Sequence, residues 1–199
     1  MRIRLLAATA VLSLGVGAAA AETYTFDPGH TQVRASWDHA GMSEQSVHFR
    51  TVNGSVEFDL DNIDATEITV EIPLESIDTG IEAFDGHMAG ADLFNTAEFP
   101  TATFVSTGVE RTGDTSAKVT GDLTIRGVTN PITLDVSINA HGEHPLGQFI
   151  PYFEGNWIGL TATGTVNRSD WGLDLFLGPV SDEIDIFIST EMKGSGEAS

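Results

Sequence analysis

Apolar and polar residues alternate with a period of two through most of this chain, and that pattern leaves room for little except β-strands. In "TQVRASWDH" Val33, Ala35 and Trp37 alternate with Gln32, Arg34, Ser36 and Asp38. The same alternation sets Val56 and Phe58 on one face of "GSVEFDL", and Ile68, Val70 and Ile72 on one face of "TEITVEIPL". It recurs in "TATFVSTGVE", "AKVTGDLTIRG", "PITLDVSINA", "WIGLTATGTV" and "EIDIFISTEM". Eight strong strands follow, with a weaker one at "TYTF", separated by turn signals such as "RTGDT", "RGVTNP" and "LGPVSD". Half-polar strands of this kind have one wet and one dry face, as antiparallel sheets do. A sandwich and a barrel both satisfy the pattern. A barrel of about eight strands removes the sheet edges and can hold one small ligand. Ala35, Gly54, Ala102, Gly121, Ala162 and Gly164, on the inner faces, are expected to leave space there.

One stretch breaks the alternation. "IEAFDGHMAGADLFNTAEF", residues 81–99, joins two long strands and has loose apolar residues, one histidine and two nearby aspartates. A structureless connection of this length is unusual unless it is functional or holds a short helix. The spacing predicts a short helical lid near residues 81–94, with Phe84, Met88 and Ala91 on one stripe, covering a barrel mouth. Asp85 and His87 are expected to cap its first turn and bond to loop backbone.

The first 21 residues read as an export signal. A short basic start (Arg2, Arg4) precedes an apolar run too short for a bilayer, which takes about 20 residues, and then small residues with a cut after Ala21. The expected location is periplasmic or secreted. Removing 21 of 199 residues leaves 178, read as a single domain over 22–199 with a core of its own. The absence of cysteine excludes disulfides, a thiol nucleophile and a thiolate metal site. Seven basic residues then face 29 acidic ones, a formal charge of −22, which repels nucleic acid.

Chemistry has few footholds. Asp85, His87 and Asp92 have the residue types of an acid/base group, and a hydrolase using His87 would also need a nucleophile and an oxyanion site, for which Ser43, Ser76 and Ser106 are candidates only as serines. No "GxSxG" or "HExxH" is present. His30 and His39 stand at two ends of one strand, nine residues or roughly 30 Å apart, too far to share a metal. His48 alternates to the outside. His141 and His144, with Glu143, are close enough for an adventitious cation only. The reading is therefore no enzyme, no required cofactor and no resident metal. The residues expected to line an apolar tunnel are Trp37, Phe49, Phe58, Phe104, Ile125, Leu134, Val136, Ile138 and Leu160, with Phe84, Met88 and Phe94 from the lid. His39, Asp85, His87 and Asp92 are the polar candidates at its mouth. Phe84 and Met88 are both expected to matter more for holding a ligand than for folding.

Several motifs in order make the chain similar to the YceI-like family. "SIDTGIEAFDGHMAGADLFNTAEFPTATF" matches its most recognisable stretch at Ser76, Ile77, Asp78, Thr79, Asp85, His87, Asp92, Phe94, Pro100 and Phe104. "GDLTIRGVTNPITLDV", "NRSDWGL", "LGPVSDEIDIFI" and the opening "DPGHTQVRASWDHAGMS" resemble its other segments, from about residue 23 to 192. The resemblance implies a lipocalin-like, elongated antiparallel β-barrel. It implies an exported binder of a long-chain amphiphile such as a polyisoprenoid or isoprenoid quinone, without catalysis. It also implies homodimers as a common state and a membrane cytochrome b as a partner of some members, hence the alternative of a quinone-linked redox accessory. Ala89 and Gly90 stand where the family often has a basic residue and a serine, which favours a neutral ligand head group.

Overall fold

In a computed structural model, residues 21–196 are described; all but the last residue of the expected export signal lies outside them. Ten strands and one helix follow in chain order: β1 (Glu22–His39), β2 (Ser43–Phe49), β3 (Asn53–Phe58), β4 (Glu67–Pro73), β5 (Ile77–Asp78), α1 (Glu82–Ala89), β6 (Thr101–Arg111), β7 (Ser116–Ile125), β8 (Val128–Glu143), β9 (Asn156–Asn167) and β10 (Glu183–Gly194). Every pairing between these strands is antiparallel, and β10 closes onto β1. The ring β1-β3-β4-β6-β7-β8-β9-β10 is a closed eight-stranded barrel, with β2 on the upper half of β1 and β5 beside β2. This is the fold class that the alternation and the resemblance imply.

The weak "TYTF" strand is no separate element. It is continuous with "TQVRASWDH" in β1, and the pairing with β10 shifts register between Phe26 and Thr31. The lower part of β1 pairs with β3 and the upper part with β2. Strand direction then sorts the connections. The β1–β2 turn, α1 and the segment between β9 and β10 lie at one end. A 3-10 turn at Leu60–Ala65, the β6–β7 turn and the β8–β9 loop lie at the other. Ile63 of the 3-10 turn is buried and packs with Tyr24, Phe58, Ile158 and Met192, so this end is plugged. The larger core cluster sits toward the helix and contains Leu74, Met88, Phe94, Phe104 and Trp171.

The small inner residues divide. Ala35, Ala102 and Ala162 border the barrel's cavity. The glycines do not open space; they admit neighbours. A Cβ on Gly121 would lie 2.3 Å from Phe104 Cζ and 2.6 Å from the Val105 carbonyl oxygen. One on Gly54 would meet the Thr69 carbonyl at 2.0 Å, and one on Gly164 would meet Leu134 Cδ2 at 2.8 Å. Gly121→Ala is thus an overpacking change and is expected to cost about 1–3 kcal/mol in urea unfolding. Shortening the ring with Phe104→Leu should recover part of the loss. A Gly121→Ala protein as stable as wild type would mean the strands part freely at this point.

Candidate functional site

An apolar cavity of about 460 Å³ runs through the barrel under α1, within the usual size range of small-molecule sites, about 300–1,000 Å³. Trp37, Phe49, Phe58, Phe84, Met88, Phe94, Phe104, Ile125, Leu134, Val136, Ile138 and Leu160 all border it. They come together because inward positions on successive strands share one face of a closed sheet. Of the polar candidates, His39 and His87 border the cavity, whereas Asp85 and Asp92 do not.

The helix is held over the opening by its own chain. Leu74 N–H donates to the Pro100 carbonyl at 2.8 Å, which ties the two ends of the 75–99 connection together. Phe94 N–H returns to the Met88 carbonyl at 3.0 Å and ends the lid. Inside, the Phe84 ring meets Trp37 edge-on at 6.3 Å and Phe94 meets Phe49 at 6.1 Å, a favourable aromatic geometry. Phe84 is half-buried, while Met88 is only 7% exposed and belongs to the core cluster. Ala91 lies past the helix end and is exposed, so the expected three-residue stripe is a two-residue one.

The capping expectation is corrected too. The N-cap is Ile81, which offers no side-chain acceptor. Asp85 instead reaches back to Thr79, accepting from its backbone N–H and from its hydroxyl, each at 2.6 Å. The Thr79 hydroxyl, then its N–H, hold the Asp85 carboxyl below its ordinary pKa against a small opposing effect of burial. His87 is exposed and stacks on Phe84. Asp92 is exposed. The three serines considered as nucleophiles are engaged in the scaffold: Ser76 donates to the Pro73 carbonyl, Ser106 accepts from Ile68 N–H and Ser43 accepts from Gln45. His141 and His144 part company: His141 Nε2 lies 3.1 Å from the Tyr24 hydroxyl, and His144 Nε2 lies 3.3 Å from Glu191.

Sequence reasoning missed the segment between β9 and β10. It brings Leu173, Leu175, Phe176 and Val180 to the cavity's open end, where Met42, Ile81 and Phe176 stand exposed. Arg168 organises it from below. The guanidinium is buried, donating from Nε to the Ser181 carbonyl at 2.8 Å, from Nη1 to Leu173 and from Nη2 to Val180. Burial pulls its pKa below the ordinary arginine value, and Asp182 and Asp174 oppose that. Arg34 also touches the cavity wall, but it alternates with the inward Val33 and Ala35, and its guanidinium lies over the outward Phe187 at 5.5 Å. Arg168 thus spends each of its three nitrogens on a backbone carbonyl, and the Arg34 guanidinium lies on the outer face of β1.

Comparison with known proteins adds relatives. The pattern of the YceI-like domain matches residues 24–192. Protein YceI of Escherichia coli is 37% identical over 184 residues, covering 92% of each chain. The crystal structure of Burkholderia cenocepacia BcnA superposes with a TM-score of 0.72 at 23% identity, over 83% of this chain and 98% of that one. A polyisoprenoid binding domain from Saccharophagus degradans superposes at 0.61 with 15% identity, over 87% and 99%.

Proposed function

The chain belongs to the YceI-like family, and from that premise we propose that it is an exported, non-enzymatic protein that carries or stores one long-chain amphiphile in its barrel. The observation that carries the reading is the cavity, about 460 Å³ with walls almost wholly of aliphatic and aromatic side chains. A chain-like ligand gains about 0.8 kcal/mol for each methylene it buries, before the costs of association, so such a cavity selects for an apolar tail. The fold is shared with the Saccharophagus degradans domain, which is described as polyisoprenoid binding. A polyisoprenoid, an isoprenoid quinone or a similar lipid is the cargo class in this reading, with an uncharged head group. That preference is supported by Ala89 and Gly90 at the end of α1 and by Arg168, whose three nitrogens each donate to a backbone carbonyl. The exposed Met42, Ile81 and Phe176 at the opening suit the handover of an apolar molecule.

The test is native mass spectrometry of the protein purified from a bacterial periplasm, followed by organic extraction of what it holds. One co-purifying long-chain species is expected, displaced by added isoprenoid. A protein that is empty and stays empty with isoprenoids and fatty acids would sink the reading.

A further inference from the structure

A second cluster lies at the plugged end, on the outer side of the seam that closes the barrel. Asp27 and His30 sit in the kink of β1, within the break in register against β10, and Glu191 stands on β10. The loop between β8 and β9 folds over them. Asp27 is 3% exposed, whereas the His30 side chain is half exposed and meets Phe153 of that loop. His30 Nδ1 lies 2.5 Å from Asp27 Oδ2 and 3.9 Å from Glu191 Oε2, and the three ligand-type atoms all fall within 4.8 Å of one another.

Both carboxylates are already oriented from outside the triad. The Tyr152 hydroxyl donates to the other oxygen of Asp27, Oδ1, and leaves Oδ2 turned toward His30. Leu146 N–H donates to His144 Nδ1 at 3.1 Å, so that in the neutral ring Nε2 has the proton and donates to Glu191 Oε2 at 3.3 Å. Outer partners of this kind are what orient the ligands of a metal.

We propose that Asp27, His30 and Glu191 bind one divalent ion of the zinc type, which clamps β1 to β10 across the closing seam. Around such an ion, with ligands at about 2.0–2.2 Å, tetrahedral ligand atoms stand roughly 3.4 Å apart. The 3.9 Å gap has to close by about half an ångström and the 2.5 Å contact has to open by somewhat less than one. The contact opens because the ion takes the place of the proton shared by Asp27 and His30, which leaves to solvent. The fourth position falls to water, with entry on the half-exposed side of His30. An imidazole among the ligands favours zinc over the hard cations magnesium and calcium, which take oxygen. The site lies outside the cavity, so its failure would leave the lipid reading untouched.

The experiment is calorimetric titration of chelator-treated protein with zinc chloride, with magnesium chloride in parallel, and thermal unfolding with and without zinc. One tight equivalent of zinc and a raised Tm are expected, because an ion bound only by the folded state stabilises it. His30→Ala and Glu191→Gln are each expected to weaken zinc by at least about tenfold and to remove the gain in Tm. His48→Ala, at an exposed histidine on β2, should change neither. If Glu191→Gln fails to fold, His30→Ala decides alone. Zinc affinity equal in wild type and His30→Ala would place the ion on surface carboxylates and overturn the proposal. So would no zinc binding, a lowered Tm, or magnesium binding as tightly as zinc.

Discussion

Met88→Asp is expected to unfold the barrel, and Phe84→Asp to empty it. The two residues are one helical turn apart on α1 and are equivalent in the sequence, but the structure separates them. Met88 packs in the same cluster as Leu74, Ile77 and Phe94 and is almost fully buried. A carboxylate there loses its hydration and gains no partner, and about 3–5 kcal/mol of stability should go with it. Phe84 is half-buried at the rim, touching Trp37 on one side and the exposed His87 on the other. An aspartate at that place can turn to water, so about 1–2 kcal/mol is the expected loss. What it removes is the apolar closure over the cavity. Retention of a bound long-chain lipid, followed by extraction after dialysis against vesicles, should fall at least about tenfold, or by roughly 1.4 kcal/mol. Urea unfolding supplies the stability arm. If Phe84→Asp unfolds as readily as Met88→Asp, α1 is core and no lid. If it folds and keeps its lipid, the cargo does not pass this helix.

Alternation made the barrel wall legible: Val33, Ala35 and Trp37, or Leu134, Val136 and Ile138, face inward because a strand has no other way to present them. The break in alternation at residues 81–99 marked the helix for the same reason. What alternation could not convey was anything decided by contacts between distant segments. The depth of Met88 depends on Leu74 and Phe94 closing around it, and the six residues from Gly86 to Ala91 give no sign of that. Gly121 reads as vacant space and is filled by Phe104 from the neighbouring strand. "TYTF" and "TQVRASWDH" read as two strands, yet β1 runs through "DPGH" between them, where β10 pairs on both sides and Tyr152 of the β8–β9 loop bonds Asp27. The segment "DLFLGPVSD" has no period at all, and its place at the mouth follows from a single buried arginine seven residues before Leu175.

Arg168→Met is the substitution that separates a structural cation from a cargo-binding one. The side chains have similar reach, but methionine donates nothing. Three carbonyls, those of Leu173, Val180 and Ser181, would lose their donors together, the first buried and the other two partly buried. Each unsatisfied group costs about 1–3 kcal/mol, and the losses overlap because one loop carries all three, so about 3–5 kcal/mol is expected in urea unfolding. The loop also places Leu175, Phe176 and Val180 at the cavity, and Ser181 N–H on the Asp38 carbonyl. Lipid retention should therefore fall in step with stability. Arg168→Lys decides what the charge is for. An ammonium cannot donate in the three fixed directions of a planar guanidinium, so a structural role predicts that lysine recovers only a fraction of the lost stability. A head-group role predicts the reverse: Arg168→Met would fold well and lose an anionic lipid, and Arg168→Lys would hold it. With Nε, Nη1 and Nη2 all spent on the protein's own backbone, the first pattern is the expected one, and an uncharged head group is the cargo chemistry consistent with it.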